Sequence, residues 1–171
     1  MNIQIRELKS IDTYIDALSK LMQDTVNAGA SIGFLAPMEQ GEAELFWQKR
    51  NPNESRIMLG AFQGNQLIGT VYVELEQKPN GSHRGEICKL MVHPDARRLG
   101  AARALMQEIE KKAIEQKRSL LILDTREGDA ANRLYRSLGY QFAGAIPNFA
   151  RNEKGVLETT NLYYKIINNS M

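Results

Sequence analysis

Residues 86–124, EICKLMVHPDARRLGAARALMQEIEKKAIEQKRSLLILD, restrict the fold more than any other segment of the chain. Gly85–Val92 carries an apolar run with the character of a strand, and Ser119–Asp124 is a second, short apolar strand. Between them, Arg98–Lys117 places Ala102, Leu105, Met106, Ile109 and Ala113 on one face of a helix. A strand, a helix and a strand in that order predict a parallel pair, because parallel neighbours need a crossover of about this length.

The junction RRLGAA, residues 97–102, is unusual for an ordinary loop. A helix starting near Arg98 leaves its first backbone N–H groups without intrahelical partners and carries partial positive charge at that end, which suits a phosphate or pyrophosphate. Gly100 removes a side chain from the approach, Ala101 and Ala102 are small, and Arg97 and Arg98 can add charge-assisted contacts. Two phosphate loops are excluded: no Lys-Ser or Lys-Thr follows the glycine, and there is no GxGxxG. A solvated helix start whose small residues only help packing stays open at this point.

The remaining chain reads as strand and helix around this unit. Asn2–Leu8 alternates as a strand, Ile11–Val26 has helical spacing, and the Gly- and Ala-rich NAGASIGFLAP leads into a helix over Met38–Arg50. Arg56–Phe62, Gln66–Glu76 and Gly85–Val92 form an antiparallel meander, joined through Gly64-Asn65 and Pro79-Asn80-Gly81. After the crossover come a helix over Asp129–Leu138, with Asp129 as its N-cap, and strands over Tyr140–Ala145 and Glu158–Ile167. The 171 residues suit one domain, 1–171, and a net charge of +2 gives no basis for nucleic-acid binding. One cysteine, no signal-like start and no long apolar run point to a cytoplasmic protein away from membranes. No His, Cys, Asp and Glu cluster has metal-ligand spacing, so no metal is expected.

KLMVHPDARRLGAARALM, followed by LYRSLGY, resembles the GNAT superfamily of acetyl-CoA-dependent N-acetyltransferases. That family's loop signature is matched by Val92, Arg97, Gly100 and Ala102, and its later pattern by Ala131, Tyr135, Gly139 and Tyr140. The resemblance implies a mixed α/β fold with a central, mostly antiparallel twisted sheet, a parallel pair at the acetyl-CoA site and flanking helices. It implies that Met91, Val92, Arg97, Arg98, Leu99, Gly100, Ala101 and Ala102 hold acetyl-CoA, the backbone near Met91 polarising the thioester carbonyl. GASIGF, QKPNG, EICKLMV, KRSLLILDT and GVLETTNLYYK are similar to the tabtoxin resistance proteins, which acetylate the amine of a β-lactam amino acid. Gly128 departs from the superfamily, many members of which have an Asn there that contacts the pantetheine arm.

The acceptor sets the chemistry. An alkyl amine with a pKa of about 10.4 is almost fully protonated at neutral pH, so freeing its lone pair costs about 4 to 5 kcal/mol and a base helps. Strand alternation puts Glu86 on one face with Cys88, Leu90 and Val92, apolar company that raises a carboxyl pKa. Asp124 stands at the carboxyl end of the second parallel strand, where ligand sites form in such sheets. Both resemble the base candidates of the tabtoxin resistance group, and Tyr135, in the same resemblance, protonates the departing CoA sulfur. Cys88 has no His spaced to activate it, and His83 and His93 read as surface residues. Ser31, Phe34 and Trp47 are candidates for the acceptor pocket, with helix-face packing as the alternative for the two aromatics. The expected enzyme transfers acetyl directly to the primary amine of a small molecule: an amino-acid-like toxin, an antibiotic or a polyamine. A non-catalytic acyl-CoA-binding or regulatory module and a protein N-acetyltransferase remain alternatives, and assembly as a homodimer is open.

Overall fold

The parallel pair implied by residues 86–124 lies at the centre of a seven-stranded sheet in a computed structural model that describes residues 2–167. Met1 and 168–171, the ends of the expected domain span, lie outside the described residues. The elements run β1 (Ile3–Glu7), α1 (Ile15–Asn27), α2 (Gln40–Gln48), β2 (Arg56–Gln63), β3 (Gln66–Leu75), β4 (Arg84–Val92), α3 (Ala101–Glu115), β5 (Leu120–Arg126), α4 (Ala131–Ser137), β6 (Gln141–Arg151) and β7 (Leu157–Ile166). The sheet order is β1-β2-β3-β4-β5-β7-β6, antiparallel except for β4 beside β5. This is the expected mixed α/β architecture.

Helices cover both faces. The apolar stripe of α3, with Leu105, Met106, Ile109 and Ala113 fully buried, packs on Leu59, Val71, Val73, Ile87 and Leu121. On the other face, α1 and α2 bury Leu18, Leu21, Met22, Ala43 and Trp47 against Met58, Phe62, Tyr72 and Met91. Each fully buried Leu or Met contributes about 1.5 to 3 kcal/mol of burial free energy, so the two layers clamp the middle of the sheet.

Three local expectations need correction. The helix after RRLGAA begins at Ala101, because Arg98 (φ 64°) and Gly100 (φ 87°) are both left-handed and a right-handed helix cannot pass through them. Asp129 does not cap α4: its carboxylate is drawn to Arg126 Nε at 3.0 Å, and Ala130 occupies the capping position with no side-chain bond. The last expected strand but one, ended at Ala145, runs on to Arg151 as β6. This edge strand absorbs Pro147 and the left-handed Asn148 in an irregularity between Ile146 and Ala150.

A fourth correction bears on the site. Cys88 pairs with Tyr72 and Met91 with Thr70, so Lys89 and Leu90 together oppose Val71 in a β-bulge. Period-two alternation breaks there. Glu86 and Cys88 face the α1/α2 side, while Leu90 and Val92 turn to the α3 side with Ile87.

Candidate active site

The two parallel strands share three rungs, Arg84 with Leu120, Gly85 with Leu121 and Glu86 with Ile122, and then separate. The gap opens into a cleft of about 870 Å³. Its walls are Glu86–Val92 of β4, Asp124–Arg126 of β5, the loop into α3, the Ala28–Gly33 loop after α1, and Leu134 and Tyr135 of α4. Ligand sites of open α/β sheets form at such a divergence beyond the carboxyl ends of parallel strands.

At one end, Gly100 stands before α3 with nothing of the protein within 4 Å of where a Cβ would lie. The first intrahelical bond here is Ala104 N–H to Gly100 O at 3.0 Å, so the N–H groups of Ala101, Ala102 and Arg103 have no partner within the helix. Arg97 and Arg98 are exposed and line the same space. At the other end Glu86 and Asp124 line the cleft from the two strands. Burial pushes the Glu86 carboxyl above the ordinary range, and the negative charges of Asp124 and Glu74 push it the same way against Lys89 and Arg84. Glu86 is exposed towards the cleft, and the groups around it are as much charged as apolar. Asp124 Oδ2 accepts a 2.8 Å hydrogen bond from the buried Thr160 hydroxyl.

Residues 20–140 match the Acetyltransferase (GNAT) family. The chain belongs to this family. It is an acetyl-CoA-dependent N-acetyltransferase. Solved structures share its fold at low identity. One is the ribosomal-protein-alanine N-acetyltransferase of Brucella melitensis, 22% identical over 96% of this chain and 99% of that one, with a TM-score of 0.78. Another is an N-acetyltransferase of Staphylococcus aureus Mu50, 16% identical over 97% and 99%, with a TM-score of 0.81. A third is YncA of Salmonella typhimurium with its cofactor acetyl-CoA, 16% identical over 100% and 97%, with a TM-score of 0.80.

The residues at the Gly100 end of this acetyltransferase fit the cosubstrate's pyrophosphate, since N–H groups free of intrahelical partners, a helix N-terminus and two arginines that form no ion pair among the described residues line open space. Met91, Val92, Arg97, Arg98, Gly100, Ala101 and Ala102 all line the cleft. Leu99 does not, being an exposed loop tip at 53%. Tyr135 lines the cleft but is otherwise enclosed, its ring edge-on to Tyr140 at 5.9 Å; burial, with Asp124 and Asp129, pushes its phenol well above the ordinary value. It therefore stays protonated at any physiological pH.

The acceptor candidates divide. Ser31 lines the cleft. Trp47 does not reach it: the indole is 0% exposed, packed between Phe46 and Tyr72, because its helix position faces the sheet. Phe34 also stays outside, edge-to-face on Phe46 at 5.3 Å. Cys88 lines the cleft with its thiol pushed up to about 12, chiefly by burial, which leaves almost no thiolate for nucleophilic attack. His93 is engaged structurally, with Nε2 3.0 Å from Asp24 Oδ2 and Nδ1 accepting from Asp95 N–H at 3.1 Å.

Three cleft residues carried no sequence signal. Thr160 comes from β7, 36 residues beyond Asp124. Arg126 ties Asp129, Glu158 and the Gly29 carbonyl together through Nε, Nη1 and Nη2 at 3.0, 3.2 and 3.0 Å. Lys89, at φ 53° in the bulge, accepts a backbone strain of about 1 kcal/mol and sends its side chain towards Gly33 and Phe46. Alternation alone sends it to the opposite face.

Proposed function

We propose that the enzyme acetylates the primary amine of a small molecule by direct transfer, with amine and acetyl-CoA bound together. The observation that carries this reading is the meeting of Glu86 and Asp124 in one cleft with the pyrophosphate loop and Tyr135. The two carboxylates attract the acceptor ammonium. Glu86, held above the ordinary carboxyl range, is the better proton acceptor and takes the amine's proton directly or through a water. Asp124, oriented by Thr160, stabilises the positive charge. When bound, acetyl-CoA supplies an acetyl group activated as a thioester. The backbone at Met91, just past the bulge, orients the thioester carbonyl in this reading, and the Tyr135 hydroxyl gives its proton to the departing sulfur. Cys88 plays no part as an acyl carrier.

The Ala28–Gly33 loop and Phe149 with Ala150 line the same cleft as Glu86 and Asp124, and Arg126 donates to the Gly29 carbonyl. GASIGF and the other stretches similar to tabtoxin resistance proteins support an amino-acid-like toxin or antibiotic, with polyamines as the other small class. Among the described residues no helix is long and apolar enough to cross a membrane.

Free-thiol release from acetyl-CoA, screened across polyamines, amino acids, aminoglycosides, β-lactam amino acids and peptides, tests the proposal. Turnover with one small-amine class is the expected result. Acetylation of peptide N-termini alone replaces it with a protein acetyltransferase, and tight acetyl-CoA binding without any turnover of small amines overturns it.

A further inference from the structure

The cleft holds a cation that acetyl transfer does not use. Among the basic side chains lining it, Arg97, Arg98 and Arg103 belong to the pyrophosphate end. Arg126 is occupied by Asp129, Glu158 and the Gly29 carbonyl. Lys89 is different. Among the described residues, its ammonium makes no hydrogen bond or ion pair, and it sits 3.2 Å from where a Cβ on Gly33 would lie and 5.7 Å from the centre of the Phe46 ring. Half-buried ammonium groups lose hydration that only an anion or several acceptors restore. Its left-handed backbone is a second cost borne at the same residue, and such costs collect where a function over-determines the conformation.

Charge balance indicates what completes it. An acceptor ammonium drawn to Glu86 and Asp124 arrives beside Lys89, so a purely cationic acceptor brings like charges together. An acceptor that carries its own acid removes the conflict. Glu86 and Lys89 are three residues apart on one strand, a rise of roughly 10 Å at most, which flexible side chains and a small molecule span. Resting on the small-amine reading above, we propose that Lys89 is the specificity-determining residue of the acceptor site. It holds a carboxylate, and the acceptor is a primary amine bearing that acid a few bonds from its nitrogen. Gly33 leaves the room: a side chain there would meet the Lys89 amine.

Matched acceptors test this: amino acids, their primary amides and the corresponding decarboxylated amines, assayed by thiol release with the wild-type enzyme, Lys89→Gln and Lys89→Arg. The wild type turns over acids in preference to amides and decarboxylated amines. Lys89→Gln raises KM for the acids about tenfold or more, the loss expected for one charged hydrogen bond, and erases the discrimination. KM for the amides and calorimetric affinity for acetyl-CoA stay unchanged, and Lys89→Arg retains the preference. Turnover of amides or polyamines as good as that of acids, or an equal shift for both classes in Lys89→Gln, overturns the role of Lys89 while the small-amine reading stands. If no amine is turned over, that reading fails, and calorimetry of the amino acids on CoA-saturated enzyme decides Lys89 separately. Binding weakened in Lys89→Gln supports it, and no binding to the wild type overturns it.

Discussion

The Thr160 hydroxyl lies 2.8 Å from Asp124 Oδ2, joining the strand that follows the cleft in sequence to the carboxylate at its floor. Thr160 is 3% exposed and also lies 3.1 Å from the Thr125 carbonyl, so its one proton is shared between two acceptors of β5. A buried donor of this kind fixes the rotamer of the acid it serves. Thr160→Val keeps the shape and removes the donor. Stability should fall by about 1.5 to 3 kcal/mol, the net worth of a hydrogen bond to a charged group, and kcat several-fold with acetyl-CoA affinity intact. Thr160→Ser should restore kcat. A variant with unchanged kcat would separate Asp124 orientation from turnover.

Glu86 makes opposite demands on activity and stability. Its carboxyl is held above the ordinary range by burial, then by Asp124 and Glu74, so the folded protein binds the proton more tightly than the unfolded chain does. Ionised Glu86 therefore costs stability at neutral pH, and the cost fades as pH falls below the unfolded value of about 4.3. Glu86→Gln should melt at a higher temperature than the wild type at pH 7 to 8, with the difference closing below about pH 4. The same variant should lose kcat by about 100-fold or more and lose the acidic limb of its pH profile. Equal kcat and an unmoved limb would remove Glu86 as the base.

The difference between what the chain disclosed and what it hid follows from locality. α3, β4 and β5 are continuous patterns of the right period, so the parallel pair and the loop between its strands could be read directly, as could Gly64-Asn65, a two-residue hairpin between Gln63 and Gln66. The bulge at Lys89 and Leu90 has no composition of its own; it shows only in how β4 pairs with β3, and it redirects Lys89, Leu90 and Val92 together. Trp47 misleads for a related reason. An aromatic on a short amphipathic helix can face a pocket or the sheet, and only the placement of α2 over Tyr72 decides. Thr160 and Arg126 act through partners tens of residues away, which no local spacing encodes.

Gly100 combines a left-handed backbone with empty space beside its Cα. Gly100→Ala adds strain of about 1 kcal/mol and one methyl group, so acetyl-CoA affinity should fall modestly, by about tenfold or less. Gly100→Glu adds bulk and negative charge where the pyrophosphate is held, and binding should disappear in calorimetry while the melting temperature moves little. Full affinity in Gly100→Glu would place the pyrophosphate elsewhere.

Arg126 joins the loop after α1 to β7 at the cleft. Its Nη2 reaches the Gly29 carbonyl across 97 residues of sequence, while Nε and Nη1 neutralise Asp129 and Glu158. Gly29 itself is left-handed at φ 99°, a bend that the loop must keep for Ser31 and Gly33 to line the cleft. Arg126→Ala frees this loop and strands two partly buried carboxylates, at a cost of about 1 to 3 kcal/mol in stability. The acceptor KM should rise several-fold as the loop loosens, and acetyl-CoA affinity should hold because the pyrophosphate loop lies on other elements. Arg126→Lys supplies one charge without the three-pronged geometry, so it should recover part of the stability and little of the acceptor KM. Steady-state kinetics in both substrates, with thermal melts beside them, separates these effects. A rise in acetyl-CoA KM that matches the acceptor's would show the Arg126 cluster supporting the whole cleft rather than its acceptor half.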